Sequence, residues 1–342
     1  MATSDSSTLP VMPAPTQTLA PSWPSLSDQS WDFGGGLDFA QDWLSWTSPC
    51  TPSLVRQPGL PVIVAFESQP LLKRQPVIVR KMILAKLKSW PYMMLTGPTG
   101  PPFVHELQMT EGTDCSAASQ ADPLRRGEGI MSLWSAGNKT AIPYLCSILR
   151  MELERIDAEI STYNDRDAVA ALQAVTVYSL IRCFAGDQAH FDFDIPHLQT
   201  MVALCGRVSG VISRHCDPAA RSMPSWEGWA LAESLRRTLV LLLALGFLFE
   251  LTVPPLIPGC DHLRHWSGML LPCAKQLWEA KTRSDWEKAY HDLDNDRRLT
   301  IGKLFGHSSL AHPDATQLDR WLGQVDDFGT LIVLVASLVE GG

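Results

Sequence analysis

WEGWALAESLRRTLVLLLALGFLFEL, residues 226–251, decides the reading of this chain. Its first half places Glu233 three and four residues ahead of Arg236 and Arg237, so the acid and both bases share one helical face with the acid N-terminal. Its second half is apolar on every side. A helix without a polar face must be enclosed by protein or lipid. The unbroken apolar run from Leu239 to Phe249 is eleven residues long, about half of what a bilayer requires. The stretch therefore predicts a buried central helix of a large α-helical domain, ended by Pro254 and Pro255. Glu233, Arg236 and Arg237 form a buried or half-buried ion network near its mouth.

The rest of the composition agrees with a folded core. The 342 residues are 45% apolar and 19% charged, enough for one large domain and a tail. A net charge of −8 argues against binding nucleic acid through general positive potential, so any DNA contact is expected to be weak or indirect. Eight scattered cysteines contain no C-x-x-C pair, which fits reduced thiols of an intracellular protein. No basic n-region followed by an apolar h-region opens the sequence, and no membrane association is expected.

Residues 1–58 are rich in Ser, Thr, Pro and Gly and carry no period that specifies a core, which predicts a disordered tail ahead of a helical domain at 59–342. Within the tail, Asp28, Asp32, Asp38 and Asp42 alternate with Trp23, Trp31, Phe33, Phe39, Trp43 and Trp46, and no Lys or Arg precedes Arg56. Such a composition suits an acidic-aromatic activation segment, with Trp31, Phe33, Trp43 and Trp46 as groove-filling residues. It suits equally a linker whose aromatics dock on the parent domain. Next, KRQPVIVRKMILAKLKSW (73–90) has six bases, no acid, and Val79, Met82, Ile83, Leu87 and Trp90 at helical spacing, a basic amphipathic helix. YMMLTGPTGPPFVHE is then expected as a loop laid over the domain.

Ile142, Leu145, Leu149, Leu153, Ile156 and Ile160 predict an amphipathic helix over 139–161 that leaves Glu152, Glu154, Arg155 and Glu159 outside. DAVAALQAVTVYSLIRCF reads as a second buried helix and Asp194 as the cap of a third that runs to about Cys216. A Pro-rich crossing, a short helix from about Cys273 and an apolar helix from about Phe328 complete an all-α fold of roughly eight to ten helices.

Chemistry-bearing motifs are sparse. Cys260, His262, His265 and Cys273 match no common zinc spacing. Asp292, Asp294 and Asp296 alternate as in a calcium loop, but Arg297 replaces its Gly and no Glu closes it. Asp326-Asp327 is no diphosphate-binding motif, and G-x-S-x-G, H-E-x-x-H and Walker sequences do not occur. No catalytic residue, metal or cofactor is expected on these grounds.

The segments KLKSWPYMML…PPFVHE, ADPL, LRMELERIDAEISTY, AALQAVTVYSLIRCF and FDIPHLQTMVAL together resemble the regulatory region of fungal binuclear zinc-cluster transcription factors, the subgroup found beside secondary-metabolite gene clusters. The most specific points are W-x-x-W…ESLRRT (Trp226, Trp229, Glu233, Arg236, Arg237) and LPCAKQLWEAKTRSDWEKAY (Pro272, Leu277, Trp278, Trp286). The six-cysteine finger of that class does not occur within these residues, Cys50 being the first cysteine, so it is expected either to have been lost or to lie upstream of Met1. The resemblance implies a nuclear transcription regulator, acting through other transcription factors or coactivators and as a homodimer. The alternative is an enzyme or small-molecule binder that retains only the scaffold.

Overall fold

The computed structural model describes residues 65–96, 100–110, 122–135, 142–185, 194–216, 222–251, 268–292, 299–305 and 315–340. These carry fourteen helices and no strand. Nine helices have eight residues or more: α2 (Val77–Met93), α4 (Pro123–Ser135), α5 (Ile142–Glu159), α6 (Asp165–Phe184), α7 (Asp194–Arg207), α9 (Trp226–Leu248), α11 (Arg283–His291), α13 (Ala315–Leu322) and α14 (Asp327–Glu340). Five are a single turn or slightly more: α1 (Pro70–Lys73), α3 (Glu106–Thr110), α8 (Val211–His215), α10 (Lys275–Trp278) and α12 (Ile301–Phe305). The all-α expectation holds. The tail at residues 1–58 lies outside the described residues.

Two helices are buried along nearly their whole length and touch each other: α6 and α9. Helix α6 starts at Asn164, whose side chain accepts from the Asp167 N–H, and carries Asp165 and Asp167 in its first turn, where carboxylates complement the helix dipole. From Ala168 to Arg182 every residue is buried, covered by α2, α4, α7 and α9. Its length and composition would suffice to cross a bilayer, yet 83% of that window is buried against protein. Helix α9 starts at Ser225, which accepts from the Gly228 N–H, and is enclosed by α6, α8, α11 and α14. One large apolar core surrounds α6 and the C-terminal half of α9. A second, smaller one gathers Cys216, Trp229, Cys273, Leu277 and Trp286 around its N-terminal half.

Several expectations are corrected. Helix α9 stops at Leu248, three residues early, because Phe249 turns extended (φ −134°, ψ 157°) and the chain pairs with residues 66–69. Phe66 N–H donates to Glu250 O (2.7 Å), Glu250 N–H to Glu67 O (2.8 Å) and Gln69 N–H to Leu248 O (2.8 Å). These bonds satisfy groups that a helix end otherwise leaves open. Pro254 and Pro255 lie outside the described residues. Helix α7 does not continue to Cys216: Gly210 takes a left-handed φ of 74° and a new turn, α8, begins after it.

The loop after α2 is not laid over the domain either. The helix continues through Pro91 to Met93, and Phe103, Val104 and His105 are buried in the core. Glu152 sits inside, bonding Arg126 Nε of α4 (3.1 Å) and Arg155 Nε (3.0 Å), because a paired carboxylate can occupy a half-apolar helix seam. On α2, Ile83, Leu87 and Trp90 face inward, Val79 is half-buried and Met82 is exposed. Helix α4, with Gly127 and Gly129 inside it, was not foreseen as an element.

Glycine substitutions test this packing. At Gly329 an added Cβ would meet Val325 side-chain carbon at 2.7 Å, whereas at Gly129 nothing lies within 4 Å. Gly129→Ala is expected to stabilise by roughly 0.5–1 kcal/mol through helix propensity, and Gly329→Ala to destabilise by about 1–3 kcal/mol through overpacking. Chemical denaturation of both variants reads the difference in sign.

Candidate functional site

Residues Trp226, Trp229, Glu233, Arg236 and Arg237 fall at i, i+3, i+7, i+10 and i+11 on α9 and so line one face. They meet the segments 101–105, 271–278 and 324–329. Glu233 is fully buried. One carboxylate oxygen accepts from the Cys273 backbone N–H (2.8 Å) and the other from Arg236 Nη1. The Arg237 guanidinium, also fully buried, reaches the opposite way. Its Nη1 donates to Pro102 O (3.0 Å) and to Asp326 Oδ2 (2.6 Å), while its Nε stands 3.5 Å from Glu233. The guanidinium carbon lies 3.9 Å from the Trp278 ring centroid and 5.4 Å from that of Phe328, two cation–π contacts beside the ion pair.

Asp326 has two duties. Its second oxygen accepts from the Gly329 N–H (3.0 Å), capping α14, so one carboxylate both starts the C-terminal helix and neutralises the central one. Burial works against the charge on Arg237, but the acidic groups around it, Cys273, Asp326 and Glu233, outweigh that penalty and hold its pKa above the ordinary arginine value.

His105 lies beside this network. Its backbone N–H donates to Ser234 Oγ of α9 (3.2 Å), and its Nδ1 accepts from the Leu107 N–H (3.2 Å). The ring stands edge-on to Trp226, Trp229 and Trp278, at centroid distances of 6.5, 6.0 and 4.7 Å. Burial first, and then the Arg237 charge, lower its pKa to about 4. His197, buried between α6 and α7 and bonded to Ser179 Oγ (3.0 Å), is lowered by burial to about 4 as well.

The two sequence blocks singled out beforehand thus converge. Pro272 O accepts from Trp321 Nε1 (2.9 Å), Leu277 is buried, Trp278 covers Arg237, and the Trp286 ring packs tilted against Trp229 at 5.8 Å. Cys273 contributes its backbone N–H. Cys260, His262 and His265 lie outside the described residues, as do Asp294 and Asp296. Among the described residues no group of three metal-ligating side chains comes together. Asp326, His105 and the Pro102 carbonyl were missed by sequence reasoning. Asp326 carried a readable signal as a cap ahead of an apolar helix, whereas the other two had none. Two carboxylates facing two guanidiniums, with a neutral imidazole beside them, make a charge-balanced joint between helices. Comparisons with family models, curated proteins and solved structures return no match.

Removing Glu233 takes the carboxylate from buried Arg236 and leaves Arg237 with Asp326 as its acidic partner. Glu233→Ala is expected to cost roughly 3–5 kcal/mol, against about 0.3–0.5 kcal/mol for Arg283→Ala, which breaks an exposed pair with Glu287 on α11. Equilibrium denaturation separates the two.

The histidines set an acid limit. A folded-state pKa near 4 against 6.5 unfolded means that the unfolded chain binds the extra protons between those values. Stability is therefore intact above pH 6.5, falls as pH drops, and stops falling from this cause near pH 4. The slope is at most about 1.4 kcal/mol per pH unit for each histidine. Melts from pH 7 to 4 should show it, with a shallower decline in His105→Gln.

Proposed function

We propose that this protein is a nuclear transcription regulator of a fungal secondary-metabolite gene cluster that works through protein partners. One observation carries the reading. The residues that resemble the regulatory-domain signature, Trp226 to Arg237 and Pro272 to Trp286, are spent on holding the core together. The chemistry suited to recruiting a partner is concentrated in residues 1–58, where five aspartates and six Trp or Phe residues precede the first base. The helical domain then serves as the carrier and as a surface for other transcription factors, coactivators or a second copy.

The test is a fusion of residues 1–58 to an unrelated DNA-binding domain in a yeast reporter strain. The wild-type fusion is expected to activate. Replacing Trp31, Phe33, Trp43 and Trp46 with Ala should reduce activity to background, since the aromatics enter the coactivator groove. Changing Asp28, Asp32, Asp38 and Asp42 to Asn should weaken it by a smaller factor, since the carboxylates keep the aromatics available to solvent. A silent wild-type fusion overturns the activation reading.

A further inference from the structure

Helix α2 turns three side chains inward, Ile83, Leu87 and Trp90, and leaves its opposite face uncovered. That face carries two parallel rows. Ile78, Met82 and Ala85 form an apolar row at steps of four and three residues, with Val77 beside it, and Val77, Ile78 and Met82 are 56%, 65% and 50% exposed. Lys81 and Lys88, seven residues apart, form a basic row next to it, Arg74 lies in the turn just before the helix, and all three are exposed. Lys86 differs, since it pairs with Asp327 of α14 at 2.6 Å. Arg74, Lys81 and Lys88 have no carboxylate partner among the described residues. No Asp or Glu occurs between Glu67 and Glu106, so the whole face is uniformly positive in a chain whose net charge is −8.

The chain contains a segment with the mirror pattern. In LDFAQDWLSW (37–46), Phe39, Trp43 and Trp46 stand at i, i+4 and i+7, and Asp38 and Asp42 run beside them at i and i+4. Aromatic and acidic rows at helical spacing answer apolar and basic rows at helical spacing, which is the pattern of an amphipathic segment docking on a helix face. Reach is no obstacle. Eighteen residues lie between Trp46 and Ala65 and can span about 60 Å, whereas α2 is only about 25 Å long. Tethering raises the local concentration of the segment to about the millimolar range, so even a weak contact is populated.

We propose that residues 37–46 dock on the outer face of α2 within the same chain, with Phe39, Trp43 and Trp46 against Ile78, Met82 and Ala85, and Asp38 and Asp42 against Lys81 and Lys88. The docking stands whether or not the tail activates transcription. A nucleic acid would use the basic row and leave the apolar one wet, whereas the tail uses both.

Zero-length carbodiimide cross-linking of the full chain, with isotopically light and heavy protein mixed and the links mapped by mass spectrometry, tests this. Expected are amide links from Asp38 or Asp42 to Lys81 or Lys88, light to light and heavy to heavy, unchanged on tenfold dilution. Ile78→Glu with Met82→Glu, both exposed positions, should lower the link yield at least fivefold while circular dichroism stays unchanged. Phe39→Ala with Trp43→Ala and Trp46→Ala should do the same from the other side. Absence of links, links only between light and heavy copies, or yields indifferent to both sets of substitutions would overturn the proposal. So would a link-free chain that sediments with phosphatidylserine vesicles.

Discussion

A carboxylate at zero exposure cannot stay charged without partners, and Glu233 has Arg236, Arg237 and the Cys273 N–H. Arg236 and Arg237 come from its own helix, but they carry two positive charges against one negative. Asp326 restores the balance, the Cys273 N–H donates to Glu233, and the Pro102 carbonyl accepts from Arg237. The partners of Arg237 lie 135 and 89 residues away in sequence. None of these charges is tolerable in the core until all are present. That couples the loop before α3, the start of α9, the approach to α10 and the cap of α14 into one cooperative event, and contacts so distant in sequence make folding slow for an all-helical chain.

The two buried helices solve the problem of polar groups differently. Helix α6 folds its polarity back on itself. Thr176 Oγ1 donates to Leu172 O (2.7 Å) and Ser179 Oγ to Val175 O (3.0 Å), so both hydroxyls find a partner within the helix, and Ser179 Oγ meets His197 besides. Gln173 reaches outside the helix, donating to Phe103 O (2.9 Å) and exchanging with Gln108. Helix α9 sends its polarity outward through Glu233, Ser234 and Arg237 and so becomes the hub. Near the far end of α6, Arg182 and Asp194 close the seam with α7 through two bonds of 2.8 and 2.9 Å.

What the sequence discloses is what depends on neighbours along the chain. The apolar run of α9, the three-and-four repeat of α5 and the acid-to-base spacing of Glu233 with the arginines are local properties, legible without coordinates. Pro102 and His105 enter the cluster only through the tertiary fold, so no spacing announces them, and Asp326 is legible as a helix cap but not as a partner of Arg237. Glu152 defeats the amphipathic rule because its partner Arg126 belongs to another helix. Helix α4 was illegible for a different reason: Gly127 and Gly129 are poor helix formers, and packing overrides that preference where Gly127 comes close to Tyr178. The break between α7 and α8 turns on a single glycine whose left-handed backbone only the fold makes necessary.

Residues 66–69 attach the N-terminal end of the domain to the outgoing end of α9 by three backbone bonds, with Phe66 held at a left-handed φ of 63° against His197 and Arg182. Strain of that kind costs about 1–3 kcal/mol and persists only where the surroundings enforce it. The clasp has a mechanical meaning. Any force exerted on the tail enters the domain at the far end of its central helix, about 22 Å from Glu233 along the axis. The three bonds and the strained Phe66 are the first elements to bear that load, and they can part while the charged joint, four turns away, keeps its grip on the rest of the fold.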